Sequence, residues 1–189
     1  METIDRPSGP QANGQEAPHT SQRIEYLGEA STLIDSILAK VEQMPVFKNF
    51  ADDEIKTLTD YMQCFGAAAG EEIIAEGRSG DYLVLLLSGE VHLLRSDAGD
   101  NGVRKLVAVA GPGAILGEMS VVDGEARMSS CITAKPTDFA LLHKSNLNRL
   151  LTEVPDLGNR FLVLLLQLVT RHLRESCVRL GLYTPAGVA

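Results

Sequence analysis

The chain has 189 residues, with 17 Lys and Arg against 25 Asp and Glu, a formal charge of −8 when histidine is neutral. That length suits one domain with a real core, and the acidic balance argues against a dedicated nucleic-acid surface while leaving room for a local basic pocket. Aromatic residues make up only 5%, with no Trp, which argues against base-stacking platforms, and three cysteines without zinc spacing argue against a disulfide framework and fit a reducing cytoplasm.

Residues 1–22 are rich in Pro, Gly, Gln, Ser and Asn and poor in aliphatics. Such a stretch cannot offset its chain entropy by burial and reads as a disordered tail. No basic region followed by an apolar run marks a signal peptide. Helices are expected over 23–62. Leu33, Ile34, Ile37, Leu38 and Val41 recur at intervals of three and four. Over 51–61, Ile55, Leu58 and Tyr61 share a face, and Asp52, Asp53 and Glu54 suit the positive end of the helix dipole.

From 63 to 143 glycines punctuate short aliphatic runs. Strands are predicted over 72–75, 82–87, 91–94, 105–109, 128–134 and 138–142, the spacing of an all-β sandwich or barrel. Residues 96–102 read as a hairpin loop, because Asp, Asn and Gly tolerate positive φ. Helical spacing returns over 144–183. Leu147, Leu150 and Leu151 form a short element with Ser145 as N-cap. Val154-Pro155-Asp156 then opens a long helix to about Arg179, ended by Gly181 and Pro185. Its stripe of Leu157, Phe161, Leu164, Leu165, Leu168 and Val169 reads as core packing, wide enough for a partner helix as well. The apolar run 161–166 falls far short of the roughly 20 residues that span a bilayer. Residues 184–189 are a short tail. The fold class is α+β: an antiparallel β-roll flanked by N-terminal helices and a long C-terminal helix.

The segment with chemical content is Gly117-Glu118-Met119-Ser120-Val121-Val122-Asp123-Gly124-Glu125-Ala126-Arg127-Met128-Ser129-Ser130. Gly117 lets the backbone approach a ligand closely. If residues 118–121 form a helical turn, their free N–H groups converge on one spot and make an anion site. Arg127 adds a guanidinium suited to phosphate. Glu118 would repel an anion there, unless it accepts a hydrogen bond from a sugar hydroxyl and orients the arginine.

This segment resembles the phosphate-binding cassette of the cyclic-nucleotide-binding domains. That family includes the catabolite activator protein, the regulatory subunits of protein kinase A and gated channels. The likeness extends to Gly70-Glu71, Glu76-Gly77, Gly80-Asp81-Tyr82, Ser88-Gly89-Glu90-Val91 and 113–118, and covers roughly residues 44–175. It implies a β-roll of the double-stranded β-helix, jelly-roll-like kind. It places Arg127 on the cyclic phosphate, Glu118 on the ribose 2′-hydroxyl, and the N–H groups of Met119, Ser120, Met128 and Ser129 around the phosphate. Leu93, Val107 and Leu116 fall where the apolar wall around the base is expected, and Arg174 or Ser176 on the long helix where a lid contact is. One departure stands out. After the arginine the family usually has Ala or Ser, then Ala, whereas this chain has Met128 and Ser129. Met128 either points out of the pocket or crowds the phosphate.

The implied function is a sensor of a cyclic mononucleotide, cAMP ahead of cGMP. It signals to an unidentified effector protein through movement of its last helix and catalyses no reaction. The sequence holds no DNA-binding module, and a homodimer through the last helix follows by analogy. The alternative is an interaction or scaffold protein with a degenerate pocket, in which Arg127 merely pairs with Glu118. The four histidines, at 19, 92, 143 and 172, offer no metal spacing. His172 reads as solvated or as an interface residue. No cofactor is expected, and no nucleophile–base set or carboxylate pair suggests catalysis.

Overall fold

The computed structural model describes residues 24–41, 44–96 and 103–182, and the described residues contain nine strands in two sheets. The larger sheet runs in the order β1 (Ile24–Glu29), β2 (Gln63–Ala67), β9 (Thr137–His143), β4 (Tyr82–Leu86), β7 (Ile115–Leu116). The smaller runs β3 (Glu72–Ile74), β8 (Ser130–Thr133), β5 (Val91–Ser96), β6 (Arg104–Ala110). All pairings are antiparallel. The helices are α1 (Ile34–Val41), α2 (Asp52–Thr59), α3 (Glu118–Asp123), α4 (Lys144–Glu153) and α5 (Pro155–Arg179), with 3-10 turns at Ala30–Leu33 and Pro45–Phe47. The architecture is the expected α+β one, a β-roll with a long C-terminal helix.

The run of apolar residues in β4 has a direct cause. Side chains alternate across a strand, and both faces of this one are buried. Leu83 and Leu85 face the helices, in a cluster with Ala140 and Leu142 of β9 and with Phe47, Ile55, Leu150, Phe161 and Leu164. Tyr82, Val84 and Leu86 face the roll interior with Phe139, Leu141, Ile73, Ile74, Val91, Leu116 and Cys131. Each large side chain so buried contributes about 1.5–3 kcal/mol, and the two clusters clamp the central strands from both sides.

The 23–62 segment departs from the helical expectation at its start, where β1 pairs with β2. Helical spacing begins only at Leu33, and tertiary pairing decides what precedes it. Ile24 packs on the interior cluster, and the Tyr26 ring lies 5.4 Å from that of Phe65. A second difference concerns α4. It starts at Lys144, whose N–H donates to Asp81 O at 2.6 Å, with His143 at the N-cap and Ser145 inside the first turn. β8 begins at Ser130, two residues later than expected, because the backbone of Arg127 is bonded instead to Gly77 and Arg78. The tail 1–22, the loop tip 97–102, Pro185 and the tail 184–189 lie outside the described residues.

Helix α5 has 25 residues, about 37 Å at 1.5 Å per residue. Its first half is anchored: Leu157, Gly158, Phe161, Leu164, Leu165 and Leu168 are buried, while Val169 is half-buried. A β-carbon on Gly158 would meet Leu151 Cα at 2.9 Å, so the glycine permits the close α4–α5 approach. Beyond Val169 the helix is exposed apart from the half-buried Cys177. Among the described residues, no helix is long and apolar enough to cross a membrane.

Candidate functional site

Strand β7 delivers the chain to Gly117, whose φ of 78° lies in the left-handed region that favours glycine. A side chain there would also strike Arg127 Nη1 and come within 3.1 Å of Ile74 Cδ1. The turn lets α3 begin at once. Glycine at its N-cap offers no side chain to the first-turn N–H groups, and Gly124, φ 79°, ends the helix.

Arg127 is 4% exposed. Its backbone is fixed on both sides, with its N–H donating to Arg78 O at 2.8 Å and its carbonyl accepting from Gly77 N at 2.9 Å. The guanidinium donates from Nη1 to Gly117 O at 2.7 Å and from Nη2 to Tyr82 O at 2.6 Å. It also lies 4.6 Å from the centre of the Tyr82 ring, a cation–π contact. Tyr82 is held in turn by its hydroxyl, which donates to Ile73 O at 2.8 Å. Burial draws the Arg127 pKa below its ordinary value, and Tyr82, Cys131, Asp81 and Glu118 oppose that shift. Burial likewise pushes the Cys131 thiol up to about 12 despite Arg127, so this buried cysteine is unreactive.

Glu118 is also 4% exposed. Its Oε1 lies 3.1 Å from Nδ1 of His172 on α5. An ionised carboxylate only accepts, so a hydrogen bond to it requires the tautomer with the proton on Nδ1. Among the described residues Arg127 and Glu118 form no ion pair with each other. The arginine bonds two carbonyls and the glutamate bonds the last helix.

The other expected site residues divide by place. Ser120 is buried, Ser129 half-buried and Met119 exposed. Met128 is 55% exposed. Leu116 is buried in the roll interior and Leu93 packs against the same cluster. Val107 is 43% exposed. Its strand explains this: β6 is the outer strand of the smaller sheet, and Leu106 and Val109 on it are exposed as well, while the pairing of Leu93 with Ala108 and Leu94 with Leu106 leaves Val107 as the extra residue of a bulge. Arg174 is exposed, and Ser176 Oγ bonds back to His172 O within the helix. From α5, His172 reaches the cassette and Arg179 reaches Val107 O at 3.4 Å.

Gly80, Tyr82 and His172 were not among the candidates read from the sequence. Gly80 and Tyr82 sit in the Gly80-Asp81-Tyr82 framework, and a glycine beside an aromatic was the signal available. His172 is 54 residues from Glu118, and no local pattern marks it. A separate cleft of about 340 Å³ is lined by Glu72, Ala75, Glu76, Arg78, Ser96, Arg104 and Ser130, and none of Gly117, Glu118 and Arg127 borders it. Arg104 pairs there with Glu72 at 3.0 Å, and Glu76 accepts from Ser96. The described residues hold no group of three or more metal-binding side chains. The Arg127 site thus sets a buried guanidinium beside an uncapped helical turn, with a buried carboxylate that bonds the last helix.

Comparison with known proteins gives the same direction. A model of the cyclic nucleotide-binding domain matches residues 67–153. The crystal structure of a cyclic nucleotide-binding domain from Methylobacillus flagellatus superposes with a TM-score of 0.74 at 39% identity, over 88% of this chain and 93% of that one. The cyclic AMP receptor protein of Thermus thermophilus is 30% identical over 138 residues, 73% of this chain and 61% of its own length. A cAMP-dependent protein kinase regulatory subunit of Aspergillus niger is 32% identical over 122 residues, 65% of this chain and 28% of its own length. The chain spans less than two thirds of either of these two relatives.

Proposed function

Because the chain belongs to the cyclic nucleotide-binding domain family, we propose that it binds a cyclic mononucleotide in the roll and relays the event through α5. The observation that carries this reading is the buried guanidinium of Arg127, held against Gly117 at the start of α3 with Glu118 alongside. Arg127 takes the cyclic phosphate with the first-turn N–H groups of Met119 and Ser120 and those of Met128 and Ser129. Glu118 takes the ribose hydroxyl, and Leu93, Leu116 and Val107 line the base. cAMP ranks ahead of cGMP because the Thermus and Aspergillus relatives carry cAMP in their names. The role is one of binding and not of catalysis.

The partners are read from α5. Leu162, Leu166, Val169 and Leu173 follow a four–three–four spacing, and the three leucines are exposed, the seam of a two-helix coil. A second copy pairing along this seam gives a homodimer, and an effector protein reads the helix position. Three unpaired cysteines suit the cytoplasm.

A second reading has its own observation. Two N–H groups of Arg127 and one oxygen of Glu118 are already engaged within the chain, as a scaffold with a silent pocket needs. Isothermal titration with cAMP and with cGMP separates the two. Saturable binding at one site per chain, abolished in Arg127→Ala, supports the sensor. Absence of heat and of thermal shift with both ligands supports the scaffold.

A further inference from the structure

The contact between His172 and Glu118 joins the two parts of the molecule that the sensor reading requires to communicate. Glu118 is almost wholly covered, whereas the His172 side chain is 46% exposed and reaches inward from solvent. His172 lies past the anchored half of α5, where the neighbouring residues 171–176 are all exposed. Apolar packing there is sparse, so a polar contact carries more of the helix position. The carboxylate it occupies is the one that the proposed function gives to a sugar hydroxyl.

We infer that His172 is a latch: it stands in for the sugar hydroxyl on Glu118, holds the outer half of α5 over the cassette in the empty protein, and competes with nucleotides that carry a free 2′-hydroxyl. This rests on the cyclic-nucleotide reading of the same site. A ligand with the hydroxyl displaces the imidazole and releases the helix. A ligand without it has nothing to offer Glu118 and leaves the latch shut. The apparent affinity of a ligand is reduced by the fraction of protein in the competent state, so a latch closed nine parts in ten weakens binding about tenfold.

The test has two arms. In the first, cAMP and 2′-deoxy-cAMP are titrated into wild type and His172→Ala. The latch predicts that the variant binds cAMP about three- to tenfold more tightly, with 2′-deoxy-cAMP changed by less than about twofold. Weaker cAMP binding, or an equal shift for both nucleotides, overturns it. A residue of purely structural importance would move both alike. The second arm needs no ligand. Spin labels at Glu175→Cys on α5 and Glu125→Cys beyond α3, in a Cys177→Ser background, report the helix-to-roll distance. The latch predicts a broader, longer distribution in His172→Ala and equally in Glu118→Ala, and no further change in the double variant. An unchanged distribution sinks it. If wild type binds neither nucleotide, the ligand reading falls and the competition with it, while the label distances still decide whether His172 holds the helix.

Discussion

A β-carbon on Gly80 would stand inside the guanidinium of Arg127, within 3.0 Å of its Cζ, Nε and Nη2. The absence of a side chain at 80 is therefore part of how the arginine is seated. The atoms in the way are the far end of a flexible side chain, so Gly80→Ala displaces the guanidinium more readily than it unfolds the roll. Expected is a loss of nucleotide binding of about tenfold or more, with a melting temperature near wild type. Gly77 supplies the contrast. Its φ is 76°, but nothing lies within 4 Å of where a β-carbon would be. Gly77→Ala costs about 1 kcal/mol of stability and leaves binding intact. Calorimetric titration and thermal melts of both variants check the pair, and binding lost equally in both would refute the seating argument.

Arg127 also contributes to the empty fold. Removing it strands the carbonyls of Gly117 and Tyr82, which now accept at 2.7 and 2.6 Å. An unpaired buried acceptor costs about 1–3 kcal/mol, so Arg127→Ala is expected to lower unfolding stability in urea by about 2–4 kcal/mol without any ligand. Arg127→Lys keeps the charge but lacks the fork that bonds two carbonyls at once, and falls between. Binding by Arg127→Ala is expected to weaken by several kcal/mol beyond this. Affinity equal to that of wild type would remove the cassette assignment.

His143 gives a pH dependence. It is buried, edge-on to Tyr82 with ring centroids 6.1 Å apart. Its Nδ1 has no hydrogen-bond partner and lies 3.9 Å from Asp81 Oδ2. Burial draws its pKa below the ordinary 6.5, with Asp81 opposing. Below pH 6.5 the unfolded chain takes up a proton that the folded chain refuses, so stability is fully present above 6.5 and drains away as the pH falls towards the folded-state value. Urea unfolding between about pH 7.5 and about pH 5.5 is expected to show this loss, and His143→Leu to reduce the slope. An identical slope in both proteins would show that other groups set it.

The seam on α5 has a concentration signature. Leu166 and Leu173 are among its most exposed apolar side chains, so Leu166→Glu with Leu173→Glu should change monomer stability by less than about 0.5 kcal/mol. Sedimentation velocity is expected to show dimeric wild type and a monomeric double variant. A wild type that stays monomeric at high concentration would leave the helix face to another partner.

Much of this was legible from residue types and spacing. The glycines and aliphatic runs between 63 and 143 gave the roll, because buried strands with tight turns leave a strong local trace. Pro155 and the stripe through Leu168 gave the long helix for the same reason. Gly117, Glu118 and Arg127 were visible as a set because three uncommon demands coincide in one short segment. What escaped depended on contacts distant in sequence. β1 is a strand because β2 offers it an edge. Val107 is exposed because β6 lies at the edge of its sheet. His172 meets Glu118 because α5 folds back across the roll, and neither helix period nor composition records that return.

The division of α5 into an anchored and an exposed half has a mechanical consequence. Past Leu168 the outer portion, to Arg179, is 11 residues long, about 16 Å of stiff rod. A pivot of about 10° at the anchored end carries the tip about 3 Å, roughly the length of one hydrogen bond. Such a lever needs no rearrangement of the core that grips it. A sub-ångström adjustment beside the cassette arrives at the far end of the helix as a step large enough to make or break a contact.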